Sequence, residues 1–216
     1  MKKLYIVGGN GFARECCLYI KYLQWRDRSI EFGGFLGHRG YGEKTDYKQF
    51  QSFYKGDFSE HKFKEDEYCV IGTAYPEIRK IIYDDLKNAN AKFYTLCSPG
   101  VFIHEDVEMG EANVFIAPCS PSVNVKIGHA NVFNSDIIIG HDVTVGNCNF
   151  FGPKCQLLGN VTIGNWNTIG ANSIFLPHSK IGNNNKVSPL SSIYKGFRNN
   201  CYIHGNPALN IGSIFK

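Results

Sequence analysis

Reading every sixth residue from Ile103 gives Ile103, Met109, Phe115, Pro121, Ile127, Phe133, Ile139, Val145, Phe151, Leu157, Ile163, Ile169, Phe175, Ile181, Val187 and Ile193, and only Pro121 falls outside the apolar set. The next residue is glycine at Gly110, Gly128, Gly140, Gly146, Gly152, Gly164, Gly170 and Gly182. Two places ahead of the apolar residue, slim side chains recur, among them Cys119, Val125, Asn131, Val143, Asn149, Cys155, Val161, Asn167 and Ser173. A period of six fits neither the 3.6 of a helix nor the two of a strand meander. It fits a short flat strand and a corner, repeated.

Three such hexads close a triangular coil, so residues 18 apart stack and the run supplies about five coils of a parallel β-helix. The apolar residue points into the tube, and glycine is expected to permit the unusual corner backbone. The phase holds from Ile103 to Ile193, so no long loop leaves this stretch. Its chemistry must come from side chains on the faces and corners. Fold analogy makes hexad solenoids left-handed, against the usual crossover preference.

The first 96 residues have a different grammar. Lys3–Val7 reads as a buried strand, Gly8-Gly9-Asn10-Gly11 as a tight turn, and Phe12–Trp25 as a helix with apolar spacing. Strands are expected at Ile30–Leu36, Tyr68–Ile71 and Lys92–Leu96, and a helix at Pro76–Leu86. This is a small parallel α/β domain of Rossmann type. The expected division is 1–96 for it and 97–216 for the β-helix.

Composition narrows the partners. Lys+Arg 23 against Asp+Glu 19 leaves +4 over 216 residues, too mild and scattered for a nucleic-acid binder. No apolar run reaches the roughly 18 to 20 residues of a membrane span, so no membrane partner is expected and the location is read as cytoplasmic. The eight cysteines include the adjacent Cys16 and Cys17 and form no CxxC pair. They read as free thiols. No Cys/His cluster has ligand spacing, so no metal is expected; a zinc hydratase on such a solenoid needs three converging histidines, and His104, His141 and His178 lack the close pair.

A glycine turn between strand and helix offers backbone N–H groups and a dipole end to an anion. Gly8, Gly9, Asn10, Gly11 and Phe12 are therefore candidate acceptor-binding residues. A dinucleotide site also wants an acid at the end of the second strand, and here that strand runs into Gly37-His38. NAD, a phosphorylated ligand such as a nucleotide sugar, and a purely structural turn all stay open on these residues.

The succession Val7-Gly8-Gly9-Asn10-Gly11-Phe12-Ala13-Arg14-Glu15, Gly34-Phe35-Leu36, Val70-Ile71-Gly72 with Pro76-Glu77-Ile78-Arg79-Lys80, and then the hexads, resembles the bacterial sugar O-acyltransferases. These include sialic acid O-acetyltransferases and N-acetyltransferases of UDP-4-amino-sugars and GDP-perosamine. The resemblance implies acetyl-CoA as cosubstrate, a nucleotide-linked amino sugar on the front domain, and a homotrimer with coenzyme A between neighbouring β-helices. It implies a catalytic base at His141 with Asp142 beside it, and Asn134 near the acceptor sugar. It places Gly159 at the thioester and Ala171, Pro189 and Pro207 along the coenzyme. The chain departs from the family pattern at Gly37-His38, at Phe150, where the amino-sugar branch can carry a second histidine, and at Val187-Ser188-Pro189-Leu190-Ser191-Ser192, which replaces the small, Gly-rich hexad lining the pantetheine, while Gly205-Asn206-Pro207-Ala208 keeps the turn after the helix.

Acyl transfer from a thioester to an amine needs a base near pH 7 and a donor for the developing oxyanion. Histidine is the natural base. His129 holds the same hexad slot as His141, and only the motif separates them. Asp142, or another carboxylate brought near by the fold, would hold the imidazole tautomer; on a flat strand, where neighbours alternate, Asp142 would instead face away, and both readings stay open. His38, His61, His104, His129, His178 and His204 read as surface groups. Phe150, Trp166 and Phe197 are large apolar residues that the period does not place inside, available to a trimer interface. Transfer to a sugar hydroxyl, as in sialic acid O-acetylation, and a non-enzymatic solenoid scaffold are the alternatives.

Overall fold

The computed structural model describes residues 1–9, 11–39 and 48–214. It divides into two compact units, Met1–Ala74 with Ile78–Leu96, and Tyr75–Glu77 with Cys97–Lys216.

The first unit is a parallel sheet of five strands. β1 (Lys2–Val7), α1 (Gly11–Arg26), β2 (Ile30–Gly37), β3 (Tyr54–Asp57), β4 (Glu67–Ile71), α2 (Pro76–Asn88) and β5 (Lys92–Phe93) follow in chain order. The sheet order is β3-β2-β1-β4-β5, so the direction of winding reverses between β1 and β4. Ligands bind at such a reversal, outside the carboxyl ends of the strands. β1 is buried from Leu4 to Val7 because it has a neighbour on each side and helical cover. The edge strand β3 was not expected. Its Tyr-Lys-Gly-Asp lacks apolar alternation because its residues are only half buried or exposed.

The second unit is the solenoid. Its first face stacks Val114–Phe115, Val132–Phe133, Phe150–Phe151, Thr168–Ile169 and Lys186–Val187. The second face stacks Cys119–Pro121, Ile137–Ile139, Gln156–Leu157, Ile174–Phe175 and Ser192–Ile193. The third stacks Glu108–Met109, Lys126–Ile127, Thr144–Val145, Thr162–Ile163 and Lys180–Ile181. All these neighbours pair in parallel. The hexad residues from Phe115 to Ile193 fill the tube, with Phe115, Phe133 and Phe151 stacked at 4.8 and 4.9 Å between ring centroids.

The glycines act differently from expectation. The left-handed residue of each corner carries a side chain: φ is 54° at Asn124, 57° at Asp142, 62° at Lys154 and Asn160, and 58° at Trp166. The backbone N–H of that residue bonds the coil before it, as in Asp142 to Val123 at 3.1 Å and Trp166 to Asn147 at 2.9 Å, which offsets the strain. The hexad glycines are needed for closeness instead. A Cβ on Gly146 would lie 2.7 Å from the Gly164 oxygen, and one on Gly152 would lie 2.7 Å from the Ala171 nitrogen.

A buried amide ladder closes the edge between the third and first faces. Asn113, Asn131, Asn149, Asn167 and Asn185 stack at intervals of 18, each Oδ1 accepting from the backbone N–H and Nδ2 of the next. The spare amide hydrogen goes to a corner glycine carbonyl, for example Asn149 to Gly164 at 2.9 Å. Beyond Ile193 the phase shortens: Cys201 binds the Asn185 amide across an interval of 16. That shift brings Phe197 alongside Ile181 and against the core, so it is only partly available to an interface, whereas Phe150 is half buried and Trp166 is 37% exposed. A hairpin of Cys201–Gly205 and Ala208–Ser213 ends the first face. The eight cysteines are free thiols; burial pushes Cys16, Cys119 and Cys155 up to about 12.

Candidate active site

His141 and Asp142 lie on the edge between the second and third faces. Asp142 stands in the left-handed corner, where strand alternation does not apply, and its side chain turns back to the ring. His141 Nδ1 is 2.7 Å from Asp142 Oδ2, and Asp142 Oδ1 accepts from Asn124 Nδ2 at 2.6 Å. A carboxylate can only accept here, so Nδ1 carries the proton and Nε2 keeps its lone pair. The hydrogen bonds from His141 and then Asn124 hold the Asp142 carboxyl below its ordinary range. Both side chains are exposed, at 58% and 41%.

Gly159 occupies the same corner one coil on. Its Cα lies beneath the far edge of the ring, since a Cβ there would sit 2.5 Å from His141 Nε2. The Gly159 carbonyl accepts from His178 N at 3.1 Å, while its N–H makes no hydrogen bond among the described residues. The base nitrogen and a residue with an unbonded backbone N–H therefore share one corner.

His129 has the opposite arrangement. It lies on the edge between the third and first faces, and its Nδ1 accepts from the Glu111 backbone N–H at 3.1 Å. That puts the neutral ring's proton on Nε2, so His129 has no spare lone pair for a base. Hydrogen bonding separates two histidines that the hexad period makes equivalent.

Asn134, Ala171 and Pro189 share a third edge, between the first and second faces, so one chain does not bring them to His141. Asn134 Oδ1 is bonded to Ser135 N at 2.8 Å. Pro189 stacks beside Gly170, and Pro207 follows a cis bond in the turn of the terminal hairpin.

In the first unit Gly8 has φ 117° and its Cα packs on Gly72, joining the ends of β1 and β4. Gly9, Gly11 and Phe12 follow into α1, and Arg14 Nη2 lies close to Gly11. Asn10 lies outside the described residues. One histidine expected at the surface is not there. His38 is 1% exposed, stacked on Phe58, with Nε2 2.8 Å from Asp85 Oδ2. His61 is half buried, with Nε2 2.9 Å from Glu67 Oε2. Asp85 is also bound by Arg39 at 3.0 Å, so the carboxylate near the end of β2 is already engaged and does not offer itself to a ribose. Sequence reasoning assigned no role to Arg79, which is fully buried and donates Nη1 to the Ile71 and Thr73 carbonyls at 2.8 and 2.7 Å. It also passed over Asn124, one of many corner asparagines.

The bacterial transferase hexapeptide model, of six repeats, matches residues 142–177. No curated protein sequence matches the chain. Among solved structures, WeeI from Acinetobacter baumannii superposes with a TM-score of 0.83 at 18% identity, covering 98% of this chain and 100% of that one. Perosamine N-acetyltransferase from Caulobacter crescentus, as a His-to-Asn variant with CoA and GDP-perosamine, gives 0.81 at 17%, covering 99% and 98%. The acetyltransferase domain of PglB from Neisseria gonorrhoeae, with acetyl coenzyme A, gives 0.81 at 16%, covering 97% and 99%. At these identities the likeness establishes the fold alone: a Rossmann-like α/β unit followed by a left-handed parallel β-helix of hexapeptide repeats. Among the described residues no helix is long and apolar enough to cross a membrane.

Proposed function

We propose that this protein is an acetyl-CoA-dependent N-acetyltransferase acting on the amino group of a nucleotide-linked amino sugar. The observation that carries this reading is the corner that His141 Nε2, backed by Asp142 at Nδ1, shares with Gly159 and its unbonded backbone N–H. His141 Nε2 takes the proton as the amine nitrogen attacks the thioester carbonyl. The Gly159 N–H donates to the oxyanion, and the imidazolium, stabilised by Asp142, returns the proton to the departing thiolate of coenzyme A. Such a base contributes about 10² to 10⁴ in rate.

The α/β unit supplies the acceptor side. Gly8 and Gly9, with Gly11 and Phe12 at the start of the 16-residue α1, lie at the reversal between β1 and β4 and suit a diphosphate, and Arg14 adds a cation to the first turn. Solved proteins of this fold hold CoA and GDP-perosamine together, which supports the same pair of ligand classes here. Ala171 and Pro189 lie on a different edge from His141. A homotrimer, in which one copy's edge faces its neighbour's, would let both line one coenzyme groove. Acetyl-CoA and nucleotide sugars are made in the cytoplasm, where we place the reaction.

The test is to incubate the protein with acetyl-CoA and a panel of UDP- and GDP-linked amino sugars, reading acetylated product by mass and released thiol by colour. His141→Asn and His141→Ala are expected to cut kcat about 10²-fold or more with CoA affinity retained. Acetylation of unlinked sialic acid in preference to every amino sugar, or full turnover by both variants, would overturn the reading.

A further inference from the structure

The corner edge carrying His141 continues one coil back into Asn124 and two coils back into Asp106. Asn124 Nδ2 donates to Asp142 Oδ1 at 2.6 Å, and its backbone N–H donates to Asp106 Oδ2 at 3.0 Å. Asp142 thus has one oxygen on the imidazole and the other on an amide. With both oxygens engaged the carboxylate plane is set; with one, it could rotate freely, because this corner is open to water.

We propose that Asn124 is a positioning residue for the acyl transfer, holding the Asp142 carboxylate against His141 Nδ1 so that the lone pair stays on Nε2. This rests on His141 being the base. The competing explanation is the backbone alone, because Asn124 has φ 54° and asparagine tolerates the left-handed region. Asn184 stands in a left-handed corner of another edge with the same φ of 54°, and its side-chain amide donates to Asn200 at 2.8 Å, with no carboxylate partner among the described residues. The Asn124 amide does something more. It faces a carboxylate, which requires the NH₂ side to point at Asp142, and it contributes to holding that carboxyl below its ordinary range.

Asn124→Gly keeps the left-handed corner and removes only the amide. Asn124→Asp keeps the shape and sets a second carboxylate against Asp142. Asn184→Gly is the backbone control. The readouts are kcat, the KM values, and the ¹⁵N shifts of the His141 ring, which report the tautomer without any turnover. Asn124→Gly is expected to lower kcat about tenfold, equal to ~1.4 kcal/mol, with both KM values within about twofold and a mixture of tautomers replacing the single Nδ1–H form. Asn124→Asp is expected to do at least as much, and Asn184→Gly to leave kcat and tautomer unchanged. An unchanged tautomer and kcat in Asn124→Gly, with His141→Asn inactive, would overturn the positioning role alone. Full turnover by His141→Asn would instead sink the base reading beneath it.

Discussion

The two units bury different kinds of polar group. Among the described residues the buried acidic, basic and imidazole side chains, Glu67, Arg79 and His38, all belong to the α/β unit, whereas the solenoid buries neutral thiols, serines and the amides of Asn113, Asn131, Asn149, Asn167 and Asn185. The reason is geometric. A coil that repeats every 18 residues must stack like on like, and stacked charges of one sign repel, while stacked amides donate and accept in turn. The α/β unit does not repeat, so it can surround each charge with a different set of partners. The solenoid accordingly keeps its acid and base outside, on the exposed corner of His141 and Asp142.

The largest expected effect comes from forcing a charge into the ladder. Asn149→Asp removes the amide hydrogens that meet Asn131 Oδ1 and the Gly164 carbonyl, leaving a carboxylate facing two oxygens. An uncompensated buried charge costs ~3–5 kcal/mol, or about 10 °C or more in Tm at this size. Burial raises the carboxyl's folded pKa, so the loss is present at pH 7 and shrinks as pH falls through that value. Thermal melts at pH 7 and pH 5 measure it. A variant as stable as the parent at both would break the comparison.

The α/β unit should show the opposite sign. Burial would raise the Glu67 carboxyl, but the bonds from His61, the Lys64 N–H and Tyr5 outweigh it and hold the group below its ordinary value. A depressed folded pKa stabilises above the unfolded value of ~4.3 and the contribution is lost as pH falls through the folded one. Glu67→Gln is expected to lower stability at pH 7 and to flatten the acid branch below about pH 5. Urea melts across pH 3 to 7 would show it, and an acid branch as steep as the parent's would contradict the assignment to Glu67.

The same contrast explains what could be read before any coordinates. The period of six exposes the tube, its inward residues and its lack of loops, because every coil states the same rule. What a single residue does at a corner is less legible. Glycine recurs where a neighbouring coil comes close, and the spacing alone does not separate that from a need for positive φ. Strand alternation leaves open whether Asp142 faces His141 or turns away, and only the left-handed corner, which the spacing does not reveal, decides for the ring. Asn124 was hidden by the many asparagines that share its backbone. In the α/β unit the buried Arg79 and the half-covered β3 follow no pattern that a period could carry. The final coil, shortened to an interval of 16, falls after the last hexad in phase.

The smallest expected effect separates the two histidines that occupy one hexad slot. His129 Nδ1 takes the Glu111 backbone N–H at 3.1 Å and the His129 backbone N–H goes to Asn147 Oδ1 at 2.7 Å, so the residue works as a strut between coils. Replacing it with glutamine removes the ring but offers an amide oxygen that can take over the acceptor part, and the net worth of one such bond is ~0.5–1.5 kcal/mol. His129→Gln is therefore expected to lower Tm by about 6 °C at most and to leave kcat within about twofold, because its lone pair was never available to an amine. Calorimetry beside the acetylation assay tests both halves at once. If His129→Gln lost turnover by about 10² while His141→Asn kept it, the base would lie on the edge between the third and first faces. The hydrogen-bond argument that tells the two corners apart would then have failed.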